Sequence, residues 1–283
     1  MSTQLFDFSV VTPSFNMLPY LKRCISSVAD QRGASHEHIV VDGRSTDGTA
    51  EWLRGRSGVR GVSERDEGMY DAVNKGFAMS RGRFISYLNC DEQYLPGTLT
   101  FVKDFFARTP EIDLLFGDSL LIRPDGSLIA YRKGYQPRWY FILASHLYVL
   151  SCTLFMRRRV IEDGFRFDRS LKDIGDEDLV VRLLRRGYRA AHARRYLSAF
   201  TMTGHNMGAK PNALIEKLNA RKASPAWVRW MGLPLNAARL TEKWLSGAYS
   251  ERLPLSYSVY VSGEAPYRSL LTARSATHRW RTG

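Results

Sequence analysis

The stretch Ile39-Val-Val-Asp-Gly-Arg-Ser-Thr-Asp-Gly-Thr49 decides how the chain is read. Ile39, Val40 and Val41 are three consecutive β-branched apolar residues, the pattern of a short strand buried on both faces. Gly43 ends the run, and Thr46 or Asp47 stands where the cap of a following helix belongs. The same alternation continues on either side. Upstream, Phe8-Ser-Val-Val-Thr12 is an apolar strand closed by Pro13, and Leu21, Ile25 and Val28 recur at helical spacing between Leu18 and Asp30. Downstream come a weaker strand at Val59–Ser63, a helix over Tyr70–Ser80, the strand Arg83-Phe-Ile-Ser-Tyr-Leu88, and a helix opened by Pro96-Gly-Thr-Leu99. Strands alternating with helices at this spacing imply a parallel α/β sheet. In such sheets ligands bind beyond the carboxyl ends of the strands. Three strand ends carry polar clusters: Thr12-Pro-Ser-Phe-Asn16, Asp42-Gly-Arg-Ser-Thr-Asp-Gly48 and Asn89-Cys-Asp-Glu92. Any one of these acids alone would serve as a helix cap. Three clusters at one sheet edge point to a site.

The pattern changes after Asp113. Leu114–Ile122, a turn at Pro124-Asp-Gly126 and Ser127–Arg132 read as a β-hairpin. Gly175-Asp-Glu-Asp-Leu-Val-Val-Arg-Leu-Leu-Arg-Arg-Gly187 reads as a helix with an acidic start, a basic end and a glycine stop. Beyond His205, five prolines divide the chain into short amphipathic pieces.

Composition narrows the class. With 283 residues, 44% of them hydrophobic, the chain can bury a sizeable core and is not a disordered protein. Its three cysteines, Cys24, Cys90 and Cys152, are too dispersed for a disulfide framework or a CxxC metal knot. The N-terminus lacks a basic segment leading into an apolar one, so no signal peptide is expected, and Phe141–Phe155 is too short and too polar to span a membrane. The expected location is therefore cytoplasmic. The net charge is +13, unevenly spread. From His205 onward there are 12 basic against 4 acidic residues, a net +8, which leaves +5 for the rest. A basic tail seeks anions or is simply a solvated face.

The blocks Ser9-Val-Val-Thr-Pro-Ser-Phe-Asn16, Ile39–Thr49, Ser63-Glu-Arg-Asp-Glu-Gly-Met-Tyr-Asp-Ala-Val-Asn-Lys-Gly76 and Leu88-Asn-Cys-Asp-Glu-Gln-Tyr-Leu-Pro-Gly97 resemble, in order and spacing, those of family 2 glycosyltransferases. The resemblance covers roughly residues 8–205. It implies the GT-A fold, a Rossmann-like α/β nucleotide-binding sheet. Residues 1–205 would be the catalytic domain, with a donor half at about 1–110 and an acceptor half at about 111–205. Residues 206–283 would be a basic, amphipathic, mainly helical extension. The implied activity is inverting transfer of a sugar from a nucleotide sugar, a UDP-sugar by family frequency, to a glycan or lipid-linked acceptor in polysaccharide or cell-surface glycan synthesis.

Such transfer must hold a diphosphate, stabilise its departure and deprotonate the acceptor hydroxyl. A divalent cation, Mn²⁺ or Mg²⁺, suits the leaving diphosphate and prefers carboxylate oxygens. The family serves it with a D-x-D-type motif. Here Asn89 replaces the first acid, so Asp91 is the implied ligand, with Glu92 or Asn89 as an auxiliary and His205 as a more distant candidate. For the nucleotide, the resemblance points to Thr12, Pro13, Asn16, Asp42, Asp66 and Asn89, with Arg65 and Lys75 offsetting phosphate charge. Arg65 and Lys75 would equally serve as surface charges. For the base it points to Asp176 at the acidic helix start, with Glu177 and Asp178 as alternatives. Repulsion among three consecutive acids raises at least one pKa, which suits a base. His146, Trp139, Tyr140 and Tyr148 are candidates for contact with the acceptor, although core packing is the commoner job for any one such aromatic.

Two other classes compete. A nucleic-acid-binding protein is suggested by the charge, but no zinc-finger spacing, RRM signature or basic helix with interleaved aromatics is present. A dinucleotide-dependent oxidoreductase would need a glycine-rich turn where Pro13 stands. Segments such as Trp227-Val-Arg-Trp-Met-Gly-Leu233 and Ala237–Leu245 mix Trp and Leu with Arg and Lys, as interfacial helices do. A peripheral position at the inner face of an anionic membrane is expected from them, and a helical cap or an oligomer contact would use the same residues.

Overall fold

The computed structural model describes residues 6–204, 211–263 and 265–279. The amino-terminal half runs β1 (Phe6–Ser14), α1 (Leu18–Ala29), β2 (His36–Asp42), α2 (Thr49–Arg54), β3 (Val59–Ser63), α3 (Met69–Met79) and β4 (Gly82–Tyr87). β5 (Glu92–Tyr94), α4 (Thr98–Arg108), β6 (Leu114–Ile122) and β7 (Leu128–Arg132) follow. Then come α5 (Trp139–Ala144), β8 (Phe155–Arg157), α6 (Arg159–Glu162), α7 (Gly175–Arg186) and β9 (Ala190–Thr201). The remainder forms α8 (Pro211–Ala223), α9 (Ala226–Trp230), α10 (Gly232–Leu245), β10 (Leu255–Val259) and β11 (Ser269–Ala273).

The main sheet has the order β3-β2-β1-β4-β8-β6-β9-β5, with β7 on β6. β3, β2, β1 and β4 are parallel neighbours, as the alternating pattern implies. Both faces of this half are covered. Val11, Ile39, Val41 and Ile85 pack with α3 and α7 on one side. Phe8, Val10 and Phe84 pack with α1 and α4 on the other. Consecutive strand residues therefore point to opposite cores, which is why the strands read as unbroken apolar runs. Gly82 is required by this packing, because a Cβ there would overlap the backbone of Phe8 and Ser9.

The helical expectation for the tail holds over α8–α10. Beyond them the chain instead forms the hairpin β10–β11, paired antiparallel. This hairpin is stitched to the sheet: Gln93 Nε2 donates to the Tyr260 carbonyl at 2.9 Å, and the Tyr260 amide returns a bond to Gln93 Oε1 at 2.7 Å. Arg268 closes a bidentate pair with Asp30 at 2.6 and 2.7 Å. At the other end, Glu216 of α8 accepts the amides of Lys172, Asp173 and Ile174 just before α7. Contacts thus cross position 205 in several places.

Candidate active site

The three polar strand ends do meet. β1 and β2 end side by side, with Ser14 opposite Asp42. Asn16 sews them together: its amide donates to Ser45 Oγ at 2.8 Å, and its Oδ1 accepts the Thr46 amide at 2.8 Å. Asn16 and Arg44 both adopt positive φ, 51° and 60°, so two non-glycine residues hold an uncommon backbone conformation at this edge. Asp47, expected as a cap of its own helix, caps two: Oδ1 accepts from Thr49 and Oδ2 accepts the Leu18 amide that opens α1.

Asp42 is fully buried. It accepts bonds from the Ser45 amide and hydroxyl and from Ser63 Oγ at 2.6 Å. These donors fix the carboxylate at the strand end. Asp66 comes up against the next residue: a Cβ on Gly43 would lie 2.6 Å from Asp66 Oδ2 and would push that side chain aside. Phe15 stands beside them 63% exposed, an aromatic face in a polar edge and a surface on which a base can stack. Thr12 turns its hydroxyl inward to His38 at 2.9 Å, so it offers the edge only its backbone, as buried Pro13 does. Lys75 is engaged by Glu64 at 2.9 Å, Asp71 at 3.4 Å and the Arg65 carbonyl. It braces the loop before α3 through these contacts. Arg65 is exposed.

The third cluster follows β4. Glu92 is buried and faces inward, accepting the Asn89 amide at 2.7 Å and Asn89 Nδ2 at 3.3 Å. Burial, then the neighbouring Asp91 charge, push its pKa well up, and its carboxyl group holds the turn through these two bonds. Asn89 Oδ1 is a buried acceptor without a protein hydrogen bond. An orphaned hard oxygen next to the Asp91 carboxylate fits a hard divalent cation. Among the described residues no three His, Cys, Asp or Glu side chains converge as a self-sufficient metal cage, so phosphate oxygens would have to complete the coordination. His205 lies outside the described residues.

The start of α7 separates its three acids. Asp178 turns to Arg182 at 2.8 Å. Glu177 accepts the Leu147 amide at 3.0 Å, and burial pushes its pKa up to about 7. Asp176 faces the strand-end site. It accepts a bond from Tyr70 OH at 3.0 Å, and its charge is felt at Glu92 and Tyr87. Burial raises the Asp176 pKa, opposed by the Tyr70 hydroxyl. Gly175 permits this contact, since a Cβ there would lie 2.5 Å from the Tyr70 ring. Tyr70 itself is stacked on Phe167 at 4.9 Å. A cavity of about 420 Å³ opens beside Tyr70, lined by Gly68, Met69, Asp71, Lys172 and Asn212 among others. Phe15, Ser45, Ser63 and Tyr70 are contributors that motif reading passed over. An aromatic within a polar strand end was the available signal for Phe15. The long-range Tyr70–Asp176 contact had none.

Residues 9–165, over half of the chain, match the family model described as Glycosyl transferase family 2. The chain belongs to that family. With this membership the nucleic-acid-binding and oxidoreductase alternatives fall away. Among curated relatives, a PGL/p-HBAD biosynthesis glycosyltransferase of Mycobacterium tuberculosis (strain ATCC 25177 / H37Ra) is 33% identical over 120 residues, covering 40% of this chain and 47% of the relative. Chondroitin synthase of Pasteurella multocida (strain Pm70) is 27% identical over 132 residues, 45% of this chain and 14% of that one. The chain thus spans about half the length, or less, of these curated relatives. The fold is shared with S. aureus TarS 1-349 in complex with UDP-GlcNAc, at TM-score 0.62 and 16% identity over 93% of this chain and 99% of that one. The mannosyltransferase PcManGT from Pyrobaculum calidifontis, in complex with GDP-Man and Mn²⁺, aligns at TM-score 0.51 and 18% identity over 88% and 78% of the two chains. These neighbours are GT-A glycosyltransferases, and the α/β sheet described above is that fold.

Proposed function

We propose that the chain is an inverting glycosyltransferase, with residues 1–205 as catalytic unit and 206–283 as its extension. It moves a sugar from a nucleotide sugar to a glycan or lipid-linked acceptor in the synthesis of a polysaccharide or cell-surface glycan. The observation that carries the reading is that Asp176, alone among the three acids of α7, faces the edge where Asp42, Asn89 and Asp91 converge. A UDP-sugar is the preferred donor class, in keeping with the UDP-GlcNAc named for TarS.

Asp42 and Asp66 accept hydrogen bonds from base or ribose, and Phe15 supports the base. Asp91 and Asn89 Oδ1 would hold a Mn²⁺ or Mg²⁺ ion, whose charge when bound offsets the leaving diphosphate. Asp176 removes the proton of the acceptor hydroxyl. The hydroxyl oxygen then attacks the anomeric carbon opposite the departing nucleoside diphosphate, which leaves with the bonding pair, so the anomeric configuration inverts. Burial raises the Asp176 pKa, which makes it a stronger base than an exposed aspartate. A thermal-shift screen of nucleotide sugars with and without Mn²⁺ tests the reading. One donor class should raise Tm by several degrees, with the metal-dependent part absent in Asp91→Asn. No response to any nucleotide sugar would overturn it.

For location we infer a peripheral seat on the cytoplasmic face of an anionic membrane. Among the described residues no helix is long and apolar enough to cross a bilayer. Trp230, Leu233 and Trp244 are 86%, 86% and 69% exposed on α9 and α10, and exposed Lys217, Arg221, Lys222 and Arg229 precede them in sequence. Apolar side chains among cations match an anionic bilayer surface.

A further inference from the structure

α8 lies against the segment that leads into the proposed base. The Glu216 carboxylate accepts three consecutive amides there: Lys172 at 2.9 Å, Asp173 at 3.0 Å and Ile174 at 3.1 Å. Asn212, one turn earlier on α8, braces the arrangement. Its Nδ2 donates to Glu216 Oε1 at 2.7 Å and to Asp173 Oδ2 at 2.8 Å. Burial acts to raise the Glu216 pKa, but the three amides and Asn212 outweigh it and hold the group below its ordinary value, so it is an anion at neutral pH. Lys172 in turn ties the same segment to the loop before α3, its Nζ donating to the Glu67 carbonyl at 2.7 Å.

The start of α7 lacks a cap of its own. Ile174 is the cap residue and brings no side-chain hydrogen bond to the helix. Gly175 follows it, with no side chain to anchor the backbone. Unsatisfied amides and the positive end of the helix dipole favour an anion at such a start. Glu216 supplies that anion from a different helix, and Asp176 comes two residues after the last amide it holds. The rest of α8 adds little packing. Among its described residues only Ala213 is buried, while Leu214, Ile215 and Leu218 are exposed. A helix that removes so little apolar surface from water contributes little to stability through area. Its contact through Glu216 therefore stands out as a tie to the site.

We infer that Glu216 is a positioning residue for the proposed base: by holding the amides of Lys172, Asp173 and Ile174 it sets the backbone from which Asp176 meets Tyr70 and the acceptor hydroxyl. It acts through the backbone, and the inference rests on Asp176 being the base of a sugar transfer. The test uses Glu216→Ala in the full chain. For transfer, kcat should fall about 10²-fold, the scale of a reacting group misplaced by about 1 Å, while the donor KM and the donor-induced thermal shift stay at wild-type values. Glu216→Gln keeps one oxygen for the amides of Asp173 and Ile174 and should hold kcat within about tenfold of wild type. In an Asp176→Asn background no base remains to be placed, so adding Glu216→Ala should cost no more than about twofold in residual transfer. Hydrogen exchange reads the hold without any activity: the amides of residues 172–174 should exchange about tenfold faster or more in Glu216→Ala. If Glu216→Ala fails to fold, Asn212→Ala removes only the brace and should show the same pattern on a smaller scale. Wild-type kcat in Glu216→Ala, a Glu216→Gln as impaired as the alanine variant, or the same fold-loss with and without Asp176 overturns the inference. Wild-type protein that transfers no sugar from any donor fails the transferase reading and this role with it. Transfer abolished by Asp176→Asn but untouched by Glu216→Ala fails the role of Glu216 alone.

Discussion

Tyr70→Phe isolates the contact that tunes the proposed base. The ring stays where Phe167 and Gly175 hold it, and only the hydroxyl bound to Asp176 at 3.0 Å is lost. That hydroxyl stabilises the carboxylate, opposing the burial that raises its pKa. A hydrogen bond to a charged group contributes about 1.5–3 kcal/mol, and one pKa unit corresponds to about 1.4 kcal/mol. The Asp176 pKa should therefore rise by a further one to two units, roughly. The ionised form is the active one, so the acidic limb of the kcat/KM–pH profile should move to higher pH by that amount, with the high-pH plateau retained. The assay is transfer from the donor identified by thermal shift, run across the pH range. An acidic limb that stays in place would refute the coupling of Tyr70 to the base.

Glu177→Gln should separate stability from catalysis. Unfolded, Glu177 ionises near 4.5, and folded it holds its proton to about 7. Its favourable contribution is complete below pH 4.5 and is lost as pH rises through 7, so the variant should gain on the wild type by roughly 3 kcal/mol across that window in denaturant melts. Gly82→Ala should destabilise the chain by about 1–3 kcal/mol or more in the same melts, because the added Cβ meets β1 backbone that cannot yield. Trp230→Ala with Leu233→Ala should weaken cosedimentation with anionic liposomes at low salt while leaving Tm within a degree or two, since both side chains are exposed. Wild-type protein that ignores such liposomes would count against the membrane seat.

The donor half was legible because its strands are buried on both faces and end in polar clusters. Val40 and Val41 read as strand, and Asp42 as its polar end, from local sequence alone. β9 was not legible. His192, Arg194 and Arg195 interrupt its apolar pattern, and it is held by β6, far away in the chain, with His192 satisfied by Asp118 at 2.9 Å. β5 escaped notice for a similar reason: Glu92 and Gln93 are buried because β9 and Tyr260 provide partners that no local pattern announces. At the site, the choice among Asp176, Glu177 and Asp178 was open in sequence. Helix rotation separates the three, sending Asp178 to Arg182, Glu177 to the Leu147 amide and Asp176 to Tyr70. Asn89, a departure from an acidic motif in sequence, gains a physical reading from its unpaired, buried Oδ1.

The most direct test of the central claim compares Asp176→Asn with Glu177→Gln, measuring transfer and donor-induced thermal shift on the same preparations. The account predicts that Asp176→Asn keeps the donor shift and loses transfer by about 10²–10⁴-fold, while Glu177→Gln transfers at close to the wild-type rate. Near-normal transfer by Asp176→Asn, with transfer abolished in Glu177→Gln, would contradict it.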